Sequence, residues 1–221
     1  FTVAVSRSRT HRVSTLHPLA PRRCSGTFQF MRVLARRVHW TEREYLTLEE
    51  GSATRHEYLD GEIYAMAGGT SRHNAICANV IGALWTLVRR GLCRAFTSDQ
   101  RIRVDIPQRF YTYADGGVAC GQWQIAGQDG MSLENPVLLF EVLSPSTREY
   151  DRGTKLSYFR QIPSLTDVLI IDQPSPLVEH HRRSARGWRT VTRRRGTIAV
   201  LGGALLLADL YDVPPGLSDP E

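Results

Sequence analysis

Two acidic side chains, Asp115 and Glu141, have the placement expected of ligands for a divalent cation. Glu141 interrupts the apolar run 137–143, which is typical of a strand buried on both faces. A carboxylate buried there costs several kcal/mol unless it is paired or metal-bound, so a structural salt bridge to an arginine and a metal site are both open. Asp115 begins a short predicted strand that could lie beside this run. Two close carboxylates repel each other unless a cation lies between them, and their hard oxygen atoms suit Mg²⁺.

One lysine, Lys155, supplies the third charge. Lys+Arg total 28, and every one of these residues except Lys155 is arginine. The lysine ammonium is a compact point charge that responds to burial, whereas the arginine charge is spread over a planar fork. Beside two carboxylates, an ammonium could hold a water molecule or stabilise negative charge that develops on a phosphate. The alternative is drift, in which a GC-rich genome has replaced the other lysines with arginine.

Glu57 and His73 are candidate supporting residues. Glu57 lies in a predicted hairpin strand, where it is a further metal ligand, a group that orients Lys155, or a solvent-facing strand residue. His73 lies at the start of a long predicted helix, where it is either close to the site or an ordinary polar residue at a helix end.

Other polar and aromatic residues are predicted to have structural roles. Asp151 is predicted to cap the helix that carries Lys155, since acids stabilise a helix N-terminus. His180 and His181 are predicted to lie on a solvated hairpin face rather than in a phosphate-binding patch. Three tryptophans are predicted to be packing residues: Trp40, Trp85 and Trp188. Tyr111 and Tyr113 are predicted to be ordinary strand residues, with stacking on nucleic-acid bases as the alternative.

Composition is that of an ordinary globular protein, with 42% hydrophobic and 23% charged residues. The formal net charge of +6 tilts mildly toward polyanionic partners, but basic residues are concentrated near both ends, so it is weak evidence for nucleic acid. The 4 cysteines form no Cys-x-x-Cys pair and no zinc-finger spacing, which favours free thiols in a reducing cytoplasm. The sequence has no apolar run long enough for a membrane span.

Capping, turn and apolar residues predict the elements that position these side chains. Thr41 and Glu44 have capping-box spacing, and Asp60-Gly61 between alternating apolar residues predicts a hairpin. The predicted helices are 41–51, 71–90 and 151–160, with a terminal turn at 208–211. The helix 71–90 is predicted to carry Ile76, Val80, Leu84 and Leu87 on one apolar stripe. The predicted strands include 56–59, 62–67, 93–98, 101–106, 115–120, 137–143 and 167–172. This order predicts a mixed α/β sandwich around one sheet.

The N-terminal residues 1–30 differ from the rest of the chain. They are rich in Ser, Thr, Arg and Pro and show neither a helical nor a strand period, which predicts a disordered or non-native extension with Met31 as the natural start. A transit peptide is the alternative. Residues 31–214 are predicted to form a single domain, and residues 215–221 a tail.

Four segments resemble the Uma-two (Uma2) family of restriction endonucleases. They are residues 55–69, 98–104, 141–147 and 151–155, and the resemblance extends from about Trp40 to Tyr211. The family is placed in the PD-(D/E)XK nuclease superfamily. The resemblance implies a restriction-endonuclease-like mixed central sheet flanked by helices, with an N-terminal helix and hairpin. It further implies a cytoplasmic Mg²⁺-dependent endodeoxyribonuclease in which Mn²⁺ can substitute, with DNA as substrate, no membrane partner and a possible homodimer.

The resemblance also assigns roles to residues. The metal-binding acids of the family correspond to Asp115 and Glu141, and Leu143 stands where the usual lysine follows the Glu. The resemblance implies that the family's lysine has migrated from its usual position and is supplied by the following helix. In this chain that lysine is Lys155. Ala114 stands where the family usually has Pro, and Gly116-Gly117 stand where it usually has strand-favouring residues. Two glycines weaken a strand. This departure motivates an alternative function, a catalytically impaired nucleic-acid-binding or adaptor protein on the same fold.

Overall fold

The computed structural model describes residues 39–66 and 68–217. The predictions for the extension 1–30, for a start at Met31 and for tail residues 218–221 lie outside these residues, as does Ala67 at the end of the predicted hairpin. The described chain is a mixed α/β structure, as predicted.

The N-terminal helix and hairpin form as predicted. Helix α1 (Glu42–Gly51) begins with a complete capping box, in which Thr41 accepts a hydrogen bond from the backbone of Glu44 while the Glu44 side chain accepts one from the backbone of Thr41. Strands β1 (His56–Leu59) and β2 (Glu62–Ala65) pair antiparallel around Asp60-Gly61. Both turn residues have positive φ, 48° and 86°, which is the conformation that this dipeptide favours in a tight hairpin.

The long helix α2 (Ser71–Val88) buries one apolar stripe against the main sheet. Ile76, Val80 and Leu84 lie on this stripe as predicted, and the fourth buried position is Val88 rather than Leu87. A spacing of four residues keeps these side chains on one face of the helix. Trp85, which was predicted to be a core or packing residue, lies outside this stripe and is 53% exposed, so it is not part of the core.

Ten further strands complete three sheets. They are β3 (Cys93–Thr97), β4 (Arg101–Val104), β5 (Phe110–Tyr113), β6 (Gly116–Cys120), β7 (Pro136–Val142), β8 (Asp167–Ile171), β9 (Val178–Ser184), β10 (Gly187–Arg193), β11 (Thr197–Val200) and β12 (Gly203–Leu206). The main sheet has the order β10-β9-β8-β7-β6-β3, in which β7 and β8 are parallel and the other neighbours antiparallel. A second sheet has the order β2-β1-β5-β4, and β11 pairs with β12.

The prediction of one sheet is therefore wrong. Strand β5 is the reason, because it pairs with both β1 and β4 and draws the hairpin into a separate sheet. Residues 110–113 are not among the strands predicted from the sequence. Their side chains are all buried, so they show no alternation that would mark a strand with one solvated face. Tyr111 and Tyr113 lie here, 0% and 5% exposed, which removes them as stacking platforms for bases.

Strand β7 separates two apolar clusters and decides where Glu141 points. Leu138, Phe140 and Val142 pack in the cluster of α2, whereas Leu139 and, directly after the strand, Leu143 pack on the opposite face. Because side chains alternate along a strand, Glu141 belongs to the face of Leu139 and Leu143. That face lies under the helical segment that follows β7.

Gly116 and Gly117 lie in a paired strand, β6, although glycine has a low strand propensity. The strand pairs on one side with β3 and on the other with β7. A Cβ atom at Gly117 would lie 2.5 Å from the carbonyl oxygen of Leu138 and 2.6 Å from the ring of Phe96. The glycines therefore allow a close approach of backbone and aromatic rings beside Asp115.

The helix predicted at 151–160 begins earlier and changes its winding. Short α3 (Arg148–Tyr150) continues into a π-helical segment (Asp151–Lys155) and then α4 (Leu156–Phe159). Asp151 thus lies inside the helical run and is 5% exposed, so its predicted role as an N-cap is wrong. A π-helical insertion widens the backbone locally and often occurs at functional sites.

Two predictions about cysteine and histidine are also corrected. Cys93 and Cys120 are opposite one another in the β3–β6 register and form a disulfide, so the prediction of free thiols fails for this pair, while Cys77 is free. His180 and His181 are buried rather than solvated, because β9 lies between β8 and β10.

Helix α5 (Leu207–Leu210) closes the fold near the predicted terminal turn. No helix among the described residues is both long and apolar enough to cross a membrane.

His181 should cost the protein stability in acid. Its Nδ1 atom lies 2.9 Å from the Arg160 guanidinium, and burial, followed by the charge of Arg160, lowers the pKa of His181 from 6.5 to about 4. The unfolded chain therefore takes up a proton that the folded chain excludes, so this stability is present above pH 6.5 and is lost as the pH falls toward 4. The loss corresponds to about 3 kcal/mol.

Urea denaturation at about pH 7 and about pH 4.5 measures this loss directly. We expect His181→Gln to lose less free energy of unfolding between the two pH values than the wild type does. His39→Gln is the matched control, since His39 is exposed, and it should lose as much as the wild type. An equal acid loss in His181→Gln and wild type would contradict the prediction.

Candidate active site

The lysine ammonium lies at the centre of a buried cluster of acids. Lys155 is 3% exposed, and its Nζ atom lies 2.9 Å from Oε1 of Glu141 and 3.1 Å from Oε1 of Glu57. It donates a hydrogen bond of 2.8 Å to the carbonyl oxygen of Tyr113, and Oδ1 of Asp151 lies 4.0 Å away. Strands β1, β5 and β7 and the π-helical segment thus converge on a single positive charge.

The charge of Lys155 is fixed by its neighbours. Burial alone would lower the pKa of Lys155, but the carboxylates of Glu141, Glu57 and Asp151 outweigh it and raise the pKa well above its usual value. The group is therefore an ammonium at any physiological pH. Burial raises the pKa of Glu141 well above its usual value, and Lys155 opposes this only in part. Ionisation of Glu141 therefore costs free energy in this environment.

The carboxylate of Glu141 also has oxygen lone pairs available for a further ligand. Its Oε1 atom is buried, and Lys155 Nζ, at 2.9 Å, is the polar contact seen for this atom among the described residues. A buried carboxylate oxygen with a single polar contact can bind an ion or a water molecule as well. The hard oxygen atoms of Glu141 and of neighbouring Asp115 fit a divalent cation such as Mg²⁺ or Mn²⁺.

Asp115 lies at the end of β6 nearest to Glu141. Gly116 is opposite Phe140 in the antiparallel β6–β7 register, so Asp115 stands beside Glu141. Its Oδ2 atom accepts a 2.7 Å hydrogen bond from the backbone N–H of Val142 and lies 3.2 Å from Nε2 of His73. The negative charge of Asp115 contributes to the raised pKa of Glu141. The structure therefore places Asp115 beside Glu141, which pairs with Lys155.

Glu57 has the contacts of a residue that orients the lysine. Its Oε1 atom accepts a hydrogen bond from the Thr112 hydroxyl and pairs with Lys155, while Oε2 accepts a 2.7 Å bond from the Tyr150 hydroxyl. These bonds occupy both oxygen atoms of the carboxylate. Of the roles considered for Glu57, orientation of Lys155 matches these contacts and a solvent-facing position does not; its role as a metal ligand stays a prediction.

His73 lies at the site rather than at a solvated helix end. Burial alone would lower the pKa of His73, but its hydrogen bond and charge interaction with Asp115 raise it. On the other side of the ring, Nδ1 lies 3.5 Å from Sγ of Cys77. Cys77 is not among the site residues predicted from the sequence, although its spacing of four residues from His73 on a helix places both side chains on one face.

Leu143 fills the space where the family places its usual lysine. It is 0% exposed and packs with Leu156 and Phe159 in the apolar cluster under the helical segment. The ammonium instead enters from that segment, at Lys155. The π-helical segment begins at Asp151, whose carboxylate is another of the charges near Lys155. No sequence pattern indicated a π-helical segment here.

Comparison with known proteins identifies the same family that the motifs resemble. The Uma2 family model, described as "Putative restriction endonuclease", matches residues 43–207. Two uncharacterized proteins of Synechocystis sp. are similar in sequence. One, slr1290, is 34% identical over 66% of this chain and 75% of its own length; the other, sll1609, is 31% identical over 69% of this chain and 86% of its own length.

A solved structure has the same fold. It is the crystal structure of a protein from Anabaena variabilis described as a putative nuclease belonging to DUF820. The two structures superpose with a TM-score of 0.58, covering 72% of this chain and 91% of the other, at 18% sequence identity. The similarity confirms the predicted nuclease-like architecture.

Proposed function

The chain belongs to the Uma2 family, described as "Putative restriction endonuclease", and from that premise we propose that it is a metal-dependent endonuclease that hydrolyses phosphodiester bonds in DNA. The family and the related fold support a nuclease-like function. The observation that carries the finer proposal is the burial of the chain's one lysine against Glu141, beside Asp115. A purely structural ion pair needs one partner, whereas Lys155 contacts Glu57 as well.

Asp115 and Glu141 would hold the metal ion. Their carboxylate oxygens are the hard donors that Mg²⁺ and Mn²⁺ prefer. When bound, the metal supplies a water of lowered pKa and stabilises negative charge on the phosphate. The backbone N–H of Val142 holds Asp115 in place, and the raised pKa of Glu141 reflects a carboxylate whose ionised form would gain from a nearby cation.

Lys155 would act as a fixed positive charge rather than as a base. Its raised pKa keeps the proton on Nζ, so it cannot accept one from water near neutral pH. The three N–H groups of this ammonium have three close partners in Glu141, Glu57 and the Tyr113 carbonyl, so it would act on a phosphate or on the attacking water through its charge. Tyr113 and Glu57 orient the ammonium, and Tyr150 and Thr112 orient Glu57.

Cleavage of supercoiled plasmid DNA by the purified chain tests this function. We expect nicked and linear products with Mg²⁺ or Mn²⁺ and none with EDTA, because the carboxylates alone cannot activate water for this reaction. A single-stranded DNA and an RNA of the same sequence show whether DNA duplex is the preferred substrate. Cleavage that persists in EDTA, or intact plasmid at high enzyme concentration with both metals, would contradict the proposal.

The alternative is a non-catalytic nucleic-acid-binding or adaptor protein on this fold. Its motivation was weakening of β6 by Gly116-Gly117, and both glycines pair with β3 on one side and β7 on the other, so the motivation is reduced. Calorimetry with Mn²⁺ separates the two functions. An impaired protein should bind Mn²⁺ poorly, and Glu141→Ala should then leave the binding curve unchanged.

A further inference from the structure

A second set of possible metal ligands lies on the α2 side of Asp115. His73, Cys77 and Asp115 each offer one ligand atom, and these three atoms lie within 4.8 Å of one another. Asp115 Oδ2 is 3.2 Å from His73 Nε2, and Cys77 Sγ is 3.5 Å from His73 Nδ1. These two contacts use different nitrogens of the His73 ring, and one ion binds only one of them. Ligand atoms around a tetrahedral zinc ion lie roughly 3.3–3.7 Å apart, so the three ligand atoms, which lie within 4.8 Å of one another, would have to approach by up to about 1.5 Å to bind one ion.

The chemistry of this set differs from that of the proposed catalytic pair. A thiolate and an imidazole are the ligands that Zn²⁺ and other thiophilic transition metals prefer, whereas Mg²⁺ prefers oxygen. Helix geometry holds His73 and Cys77 on one face because they are four residues apart. Three protein ligands with a fourth position left for water is the usual composition of an open zinc site.

We propose that His73, Cys77 and Asp115 form a binding site for a thiophilic transition-metal ion of the Zn²⁺ class. On binding, the S–H bond of Cys77 breaks, its proton passes to the buffer, and an Sγ–metal bond forms. Burial raises the pKa of the free Cys77 thiol, and Asp115 and Glu141 add to this, so the thiol stays protonated until the ion displaces the proton.

Sharing of Asp115 makes this ion an inhibitor of the Mg²⁺-dependent reaction. An Asp115 carboxylate directed at a zinc ion on the α2 side is no longer available to a Mg²⁺ ion at Glu141. This consequence rests on the proposed nuclease function, whereas the binding itself does not. The two parts therefore need separate measurements.

Absorption spectroscopy with Co²⁺, used as a probe for Zn²⁺, tests the binding. We expect a thiolate-to-cobalt charge-transfer band in the near ultraviolet that Zn²⁺ abolishes and excess Mg²⁺ does not. Cys77→Ser should lose the band and bind Zn²⁺ at least about tenfold more weakly. Cys24→Ser is the matched control, because it removes a different cysteine, and it should keep the band. A band that is absent from the wild type, or that survives in Cys77→Ser, would overturn the proposal.

Alkylation of the wild-type chain gives a test that needs no variant. Zn²⁺ should slow the reaction of Cys77 with iodoacetamide at least about tenfold, as read by peptide mass spectrometry, and should leave Cys24 in the same sample unaffected. Equal alkylation of Cys77 with and without Zn²⁺ would overturn the site even if Cys77→Ser fails to fold.

Inhibition is measured last, against the uninhibited rate of each protein. The Zn²⁺ concentration that halves plasmid cleavage should rise at least about tenfold in Cys77→Ser, in proportion to the weakened binding. If the wild type shows the cobalt band but cleaves no DNA, the metal site stands and the nuclease function fails. If it cleaves DNA but shows no band, the reverse holds.

Discussion

Replacement of Lys155 by methionine should destroy DNA cleavage and lower the free energy of unfolding by about 3–5 kcal/mol. Methionine fills much of the lysine volume but leaves Glu57, Glu141 and Asp151 as buried acids without the positive charge between them. Removal of one partner from a buried ionic cluster destabilises a protein by much more than the complete cluster stabilises it, because the desolvation of the remaining charges is no longer offset. The stability loss should shrink when Mg²⁺ or Mn²⁺ is added, because a bound cation restores positive charge.

Lys155→Arg is the matched control, since it keeps the charge and changes its shape. We expect it to unfold at a urea concentration closer to the wild type than Lys155→Met does. Cleavage should nevertheless fall by about 100-fold or more, because a planar guanidinium cannot replace the compact ammonium between Glu141 and the Tyr113 carbonyl. Urea denaturation followed by circular dichroism and plasmid cleavage measure the two effects. Wild-type stability in Lys155→Met would show that the acids do not depend on the lysine.

Glu141→Gln should separate activity from stability. Cleavage should fall by about 1,000-fold or more, because the amide cannot supply an anionic ligand to the metal. The free energy of unfolding should stay within about 1 kcal/mol of the wild type or rise, since the substitution removes a buried charge whose pKa burial has raised. Lys155 would keep Glu57 and the Tyr113 carbonyl as partners. Enzymes are commonly less stable than they could be because residues needed for catalysis destabilise the folded state.

The control for Glu141→Gln is Glu149→Gln, which makes the same chemical change at an exposed position just before the π-helical segment. It should cleave DNA at the wild-type rate and unfold as the wild type does. If Glu141→Gln destabilises the protein as strongly as Lys155→Met, the carboxylate is a structural partner of the lysine and no spare ligand. Retained cleavage in Glu141→Gln would remove Glu141 from the metal site.

Local rules predicted much of the fold from the sequence. The capping box at Thr41, the Asp60-Gly61 turn and the apolar stripe of α2 each depend on residues close together in the chain, and each forms as predicted. Glu141 stood out because a charge within a buried strand requires a partner. The order of Asp115 and Glu141 on neighbouring strands was enough to place them side by side.

The remainder depends on contacts between distant residues. Strand β5 is recognisable as a strand through its pairing with β1 and β4, and that pairing splits the expected single sheet in two. The disulfide follows from the β3–β6 register, which places Cys93 opposite Cys120. Cys77 became a candidate ligand only when α2 was seen to carry it and His73 toward Asp115. No short sequence pattern contains that information.

Side-by-side cleavage of supercoiled DNA by the wild type, Asp115→Ala, Glu141→Ala and Lys155→Arg in Mg²⁺ tests the central claim most directly. Circular dichroism on the same samples confirms that each variant is folded. The wild type should cleave, with EDTA abolishing the reaction, and each folded variant should lose at least about 100-fold in rate, because each removes one part of a single centre. Cleavage at the wild-type rate by all three variants would show that the reaction occurs elsewhere and would contradict the assignment of this site.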